Sequence, residues 1–459
     1  MQNNIFRIVF LLILSNTAFA NVTLPNVFSD NMVLQRNADV TFWGWANPQE
    51  EVVITPSWNN ETYKIKANNQ AQWEIKIPTP KEGGPYTITI KGYNELVLKN
   101  ILIGEVWICS GQSNMEMNAG WGITNGDEAV KNATNTTIRF FSIPKLTAST
   151  TQNNVSGTWT TCTPETMKYF SAVGYFFGQR LQEELKNVPI GLISSNWGGT
   201  PAEIWMPEEV IQKDAVLLEA AKTRKEESYG PNQPGRAFNA MIYPLTKFKI
   251  AGALWYQGES NVGSTVYDKT LTALITSWRQ LWQYDFPFYV VQIAPYKYGE
   301  DHFGGAVIRD AQRKVVQQVP NTGLVVTSDI SPIDDIHPKD KKSVGIRLGN
   351  LALANIYKTN KTLVNGPLFK AIKMEKSKVL VTFDYAEGLY FKDKKSNLFE
   401  VAGADNVFYK ATAVIKNNSV IVQSDKVKAP TKVRYAWKNT DQATLFNQAN
   451  LPASTFISE

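Results

Sequence analysis

The sequence predicts an α/β chain: a three-layer α/β/α domain built on a parallel sheet, flanked on both sides by β-sandwich-like regions. Three observations predict it. Between about residues 100 and 360, short apolar runs alternate with stretches of helical periodicity, the pattern of strands joined by crossover helices that cover both faces of a parallel sheet. Before and after that region the helical periodicity disappears, and short alternating strands follow one another between turn residues, as in antiparallel sandwiches. At 459 residues the chain also exceeds what one compact core can hold, which fits a division into 21–100, 101–360 and 361–459.

The first twenty residues stand apart. Arg7 precedes the apolar run Ile8–Leu14, and Ala18-Phe19-Ala20 ends the segment before Asn21. This is the order of a secretory signal peptide, residues 1–20. The run is far shorter than the ~20 residues a membrane span needs, so an exported, periplasmic or extracellular chain without membrane insertion is expected.

From Asn21 to about Asn100, the runs Val40–Trp45, Glu51–Thr55, Thr62–Lys66, Trp73–Ile77 and Tyr86–Ile90 read as the strands of the first sandwich. The pattern then changes. Ile101–Cys109 is apolar throughout, as a strand buried on both faces must be. Ser171–Leu185 has helical spacing with Ser171 as its cap, and Val188–Ser194 follows as a strand. Gln212–Gly235 is polar and reads as an excursion from the sheet. Strands at Ile250–Tyr256, Phe288–Ile293 and Gly323–Thr327 alternate with helices at Tyr267–Trp282 and Ser343–Tyr357. Beyond Lys361 the β pattern returns in Lys378–Phe383, Ala413–Ile415, Ser419–Gln423 and Lys432–Trp437.

Composition limits the partners. With 43% hydrophobic and 19% charged residues and no repeat, the chain is globular. The net charge of +6 is spread thinly; it lacks the clustered basic stripe that nucleic-acid binding requires, so no nucleic-acid partner is expected. Thirteen Trp and 18 Tyr suit stacking on sugar rings as well as they suit sandwich cores. Cys109 and Cys162 allow one disulfide at most, and Cys109, at the end of a buried strand, is equally comfortable as a free thiol. Two cysteines and the histidines His302 and His337 have no zinc-like spacing. No metal or cofactor is expected.

Chemistry gathers at four strand ends: Cys109–Met115, Ile193–Thr200, Trp255–Asn261 and Asp334–Pro338. Each is an apolar run or turn that breaks into Gly, Ser, Asn, Gln or an acid, and in a parallel sheet such ends converge on one crevice. Together they hold what a serine hydrolase needs: a hydroxyl, an imidazole to take its proton, an acid, and N–H donors for the oxyanion.

Their wording, Gly111-Gln112-Ser113-Asn114-Met115, Trp197–Trp205, Trp255–Asn261 and Asp335-Ile336-His337-Pro338, resembles the SGNH hydrolase superfamily, and within it the sialate O-acetylesterase-like carbohydrate esterases. The likeness continues through Phe170–Phe177, Phe238–Leu245 and Tyr435–Trp437 and so covers most of the chain after residue 20. It implies an SGNH-type, flavodoxin-like sheet and a secreted esterase that removes O-acetyl groups from sugars, with O-acetylated sialic acid as first choice of substrate. Acetylated xylan or another plant glycan is the alternative, and a non-catalytic glycan-binding protein the second. It also implies Ser113 as nucleophile and His337 as base. Asp334 has the superfamily's Asp-x-x-His spacing, while Asp335 matches the subgroup's wording; Asp334 is favoured. Oxyanion donors are expected from the Ser113 amide, from Gly198 or Gly199, and from the Gln257 side chain, although Gln257 and Asn261 compete for a place usually held by one Asn. Gln112, Asn114, Glu259 and Asn261 are candidate substrate contacts, with Glu259 equally suited to bracing the site. Glu105 and Glu203 read as framework hydrogen-bonders, and His302 as a rim residue.

Overall fold

The computed structural model describes residues 21–225, 227–299, 303–392 and 398–458. The segment expected to be a signal peptide, residues 1–20, and His302 lie outside them. Numbering only the central layer in chain order, the strands are β1 (Glu95–Gly111), β2 (Ile138–Ser142), β3 (Trp159–Thr161), β4 (Ile190–Asn196), β5 (Gly252–Tyr256), β6 (Phe288–Val291) and β7 (Thr322–Val325). They lie in the order β7-β6-β5-β1-β4-β2-β3. Every pair is parallel except the terminal β2–β3 pair.

Side-chain alternation on these strands builds two cores. On β1, Trp107 and Cys109 face the helices α2 (Ala172–Leu185) and α5 (Lys341–Asn355), whereas Val106 and Ile108 face α3 (Tyr267–Trp282) and α4 (Gly304–Gln318). Full burial of a side chain as large as Trp107 stabilises by roughly 2–3 kcal/mol, and the period of two is why the strand can serve both layers. α2 and α5 approach closely because Gly345 has no side chain: a Cβ there would lie 2.8 Å from the Val173 carbonyl oxygen. Both cysteines are free and buried. Burial raises the Cys162 thiol to about 12, so it is inert as a nucleophile.

Strand β1 is 17 residues long and belongs to two layers. Its first half pairs antiparallel with Gly83–Lys91, and Val33–Gln35 runs parallel to residues 102–104. The boundary expected at residue 100 therefore falls inside a continuous strand. Of the expected first-region strands all five are present, within one to three residues at each end. β2, β3 and α4 escaped the sequence reading. β2 and β3 sit in a segment without a crossover helix of clear periodicity, and α4 buries Arg309, Asp310, Gln312 and Arg313 beside Ile308, Ala311 and Val315, so its buried residues do not form a purely apolar stripe. The third region forms two antiparallel four-stranded sheets around Val379, Val381, Phe399, Tyr435 and Phe456. Among the described residues no helix is long and apolar enough to cross a membrane.

Candidate active site

Three strand ends are level with one another: Gly111 on β1 is in register with Asn196 on β4 and Tyr256 on β5. The loops that follow are laced together, the Gln112 N–H donating to the Tyr256 carbonyl at 3.0 Å and the Trp197 N–H to that of Gly111 at 3.0 Å. Gly111 makes the turn possible. Its φ is 136°, and a Cβ would lie 2.2 Å from the Tyr256 carbonyl oxygen, so only glycine passes. The chain then enters α1 (Ser113–Glu116), placing Ser113 at the first helical position, where an amide has no intrahelical acceptor.

His337 arrives from the far side of the sheet, on the loop between β7 and α5. Its Nε2 lies 2.8 Å from the Ser113 Oγ. Two bonds hold the loop by its backbone: Asp335 Oδ1 accepts the His337 N–H at 2.8 Å, and Asn114 Nδ2 donates to the Ile336 carbonyl at 3.0 Å. Trp121 stands edge-on to the imidazole with ring centres 6.2 Å apart. Burial, and then the nearby Lys341 ammonium, hold the imidazole below its ordinary range, against the opposing pull of Asp335 and Glu116. A neutral imidazole is the form a general base needs.

With this geometry in view, the comparisons are decisive. Residues 103–357 match the family "SASA: Carbohydrate esterase, sialic acid-specific acetylesterase". The sialate O-acetylesterases of Pongo abelii and Homo sapiens are each 30% identical, over 94% of this chain and 91% of theirs. The crystal structure of a carbohydrate acetylesterase from Xanthomonas citri superposes with a TM-score of 0.86 at 34% identity, covering 95% of this chain and 99% of that one. The chain belongs to the sialic acid-specific acetylesterase family. It is a carbohydrate O-acetylesterase.

Several site residues of this acetylesterase differ from expectation. Asp334, favoured by spacing, is exposed and makes no hydrogen bond to His337; it lies on the outer side of the turn. Asp335 is the nearer acid, but it grips the backbone, and among the described residues no carboxylate hydrogen-bonds to Nδ1. Gln257, expected to serve the oxyanion, is fully buried: its amide donates to the Thr200 carbonyl and to Asn261 Oδ1, and its oxygen accepts from Tyr267. Asn261 is equally committed, donating to both Glu203 oxygens and accepting from the Ala202 amide. Asn114, completely buried, is likewise turned inward rather than toward a substrate. The Gly198 amide donates to Glu116 Oε2 at 2.7 Å. The Ser113 and Gly199 amides carry no acceptor among the described residues.

Gln112 and Glu259 do line the cavity above Ser113, whose volume is about 880 Å³. The Gly258 and Ser260 amides hold the Gln112 oxygen at 3.3 and 3.2 Å, which leaves its NH2 group toward the cavity. Glu259 accepts from Asn114 at 2.6 Å through one oxygen while the other is buried without a partner, and burial raises its pKa. Glu203 is held inside by Asn261, and Glu105 binds Gln35 and Arg36; both belong to the framework.

Four contributors were not read from the sequence. Glu116 is bonded to Gly198 and pairs with Lys145 at 2.6 Å; its i+3 spacing from Ser113 places the two on one helix face, and that was the available signal. Lys341 is buried at the first position of α5, where a cation opposes the helix dipole, a mismatch visible in sequence. Trp121 and the polar excursion around Arg224–Tyr229 supply cavity walls. An exposed aromatic ending a single 3-10 turn, Ala119–Trp121, has no sequence signature.

Proposed function

We propose that the protein is an exported serine esterase that removes acetyl groups from sugar hydroxyls through a Ser113 acyl-enzyme, with O-acetylated sialic acid as its substrate. The observation that carries the proposal is the 2.8 Å contact between Ser113 Oγ and His337 Nε2 on the floor of an open cavity. His337 takes the hydroxyl proton as Ser113 Oγ attacks the acetyl carbonyl, and negative charge develops on the carbonyl oxygen. The Ser113 and Gly199 amides, and the Gln112 NH2 group, are the uncommitted donors that can receive it. His337 then gives its proton to the departing sugar oxygen. A water, deprotonated by the same imidazole, releases acetate. With no carboxylate bonded to Nδ1 among the described residues, the machinery is a Ser–His dyad whose imidazole is oriented through its backbone.

The vertebrate relatives bearing the name sialate O-acetylesterase support sialic acid, as do Arg224 and Lys225 on the cavity wall, cations suited to the sugar's carboxylate. The name of the Xanthomonas citri protein, at 34% identity, specifies only a carbohydrate and does not choose between sialic acid and a plant glycan. Acetate release from O-acetylated sialic acid and from acetylated xylan, measured side by side, separates the two. Ser113→Ala should reduce turnover on either by about 10⁴-fold; a variant that keeps most of its activity sinks the nucleophile assignment.

A further inference from the structure

Behind the Ser113–His337 pair lies a buried polar group that the reaction as written does not use. Lys341 Nζ, with the residue 0% exposed, donates to Asn114 Oδ1 at 2.5 Å. Across the same carboxamide, Asn114 Nδ2 donates to Glu259 Oε1 at 2.6 Å and to the Ile336 carbonyl at 3.0 Å. Asn114 directly follows the nucleophile, and Ile336 directly precedes the base. One side chain therefore spans both halves of the dyad.

The direction of that span is set by chemistry. An ammonium has only donors, while a carboxylate and a peptide carbonyl have only acceptors. Between them a carboxamide has one satisfactory orientation, oxygen toward Lys341 and nitrogen toward Glu259 and Ile336. Lys341 stands at the head of α5, where its charge runs against the helix dipole, and it is buried to the last atom. A methionine of similar length would fill the space more cheaply if packing were the only need.

We propose that Lys341 is a positioning residue for the deacetylation: by holding the Asn114 carboxamide in one orientation it keeps the His337 loop at bonding distance from Ser113. The inference rests on the Ser113–His337 reading. The charged groups acting on His337 are Lys341 on α5, Asp335 on its own loop and Glu116 on α1. Burial lowers the Lys341 amine to about 7 against the opposing pull of Glu259, Asp335 and Asp340, so it is charged across the acid limb and loses its charge as pH rises above it. Of the three acting on His337, only Lys341 favours the neutral imidazole; its burial and this ammonium place the acid limb of kcat/KM below the ordinary histidine pKa of ~6.5. Loss of the ammonium raises the imidazole pKa, so the limb moves to higher pH.

The test is Lys341→Met, assayed on an acetylated chromogenic ester across pH, with circular dichroism to establish folding. The expected result is a kcat lower by about 10- to 100-fold with KM little changed, and an acid limb displaced upward by about half a pH unit or more. A folded variant whose limb does not move overturns the proposal, whatever its kcat, because a merely structural lysine would leave the limb in place. Asn114→Asp keeps the shape and both buried charges but cannot donate to Ile336; it should also lose kcat, and retention of wild-type kcat overturns the proposal. If neither variant folds, the role is confined to folding and the proposal fails. Ser113→Ala run beside them separates the two readings: an active Ser113→Ala condemns the dyad itself, whereas an inactive one with an unmoved Lys341→Met limb condemns only this inference.

Discussion

At the residue scale, the site separates groups that face the substrate from groups that hold those groups still. Asn261 belongs to the second class. Its carboxamide is bonded on every side, to Glu203, to the Ala202 amide and to Gln257. Removing it leaves the Glu203 carboxylate, 1% exposed, with its own backbone amide and Arg224 at 3.9 Å. Asn261→Ala should therefore cost about 2–3 kcal/mol of stability, seen as a shifted denaturant midpoint, while the KM of the folded enzyme for an acetyl ester stays within about twofold. A raised KM with unchanged stability would return Asn261 to the substrate side.

At the element scale, the short helix α1 is too brief to be stable alone and depends on α2. Ser171 makes the joint. Its Oγ accepts the Gly174 N–H at 3.1 Å, capping α2, and donates to the Met115 carbonyl at 2.6 Å, tying down α1. Ser171→Ala loses a cap and leaves a buried carbonyl one bond short, about 1–2 kcal/mol. Thermal melting should show Tm lower by roughly 2–4 °C per kcal/mol lost. An unchanged Tm would mean that α1 is held by its packing on β1 alone.

At the scale of the whole molecule, the third region is fastened to the catalytic layer by a buried arginine. Arg309 on α4, fully buried, donates to the Lys438, Asn439 and Ala436 carbonyls and to Thr455 Oγ1. Burial lowers its pKa to about 10, still charged at neutral pH. Gln292 at the end of β6 adds a bond to Ser454 Oγ at 2.8 Å. Arg309→Met should take one of two donors from each of three carbonyls, which keep the Thr455 hydroxyl and the Tyr296 and Asp441 amides, and cost about 1–3 kcal/mol. Urea unfolding followed by limited proteolysis should then show the region after residue 360 opening before the catalytic layer. A single cooperative transition at the wild-type midpoint would show that apolar contact suffices.

The layer architecture was legible in sequence because hydrophobic periodicity reports burial directly: an apolar run such as Ile101–Cys109 can only be a strand covered on both faces, and Ser171 marks a helix start by its own chemistry. Ser113 and His337 were legible for another reason: Ser113 follows the end of a buried strand, His337 is one of two histidines in the chain, and the wording around both resembles a known family. Their partners were not. Asp334 against Asp335, Gln257 against Gly199, and the inward turn of Asn114 depend on which way a polar side chain points. Composition says that an amide has donors; only packing decides whether a carbonyl, a carboxylate or a substrate receives them. The same holds for α4, whose buried Arg309 and Gln312 conceal its helical face, and for Lys341, whose burial is set by elements more than two hundred residues apart in the chain. The sequence by itself determined the layers and the pairing of Ser113 with His337. The tertiary structure decided which polar groups are left free to meet an acetyl ester, because hydrogen-bond commitment is a property of neighbours and not of residues.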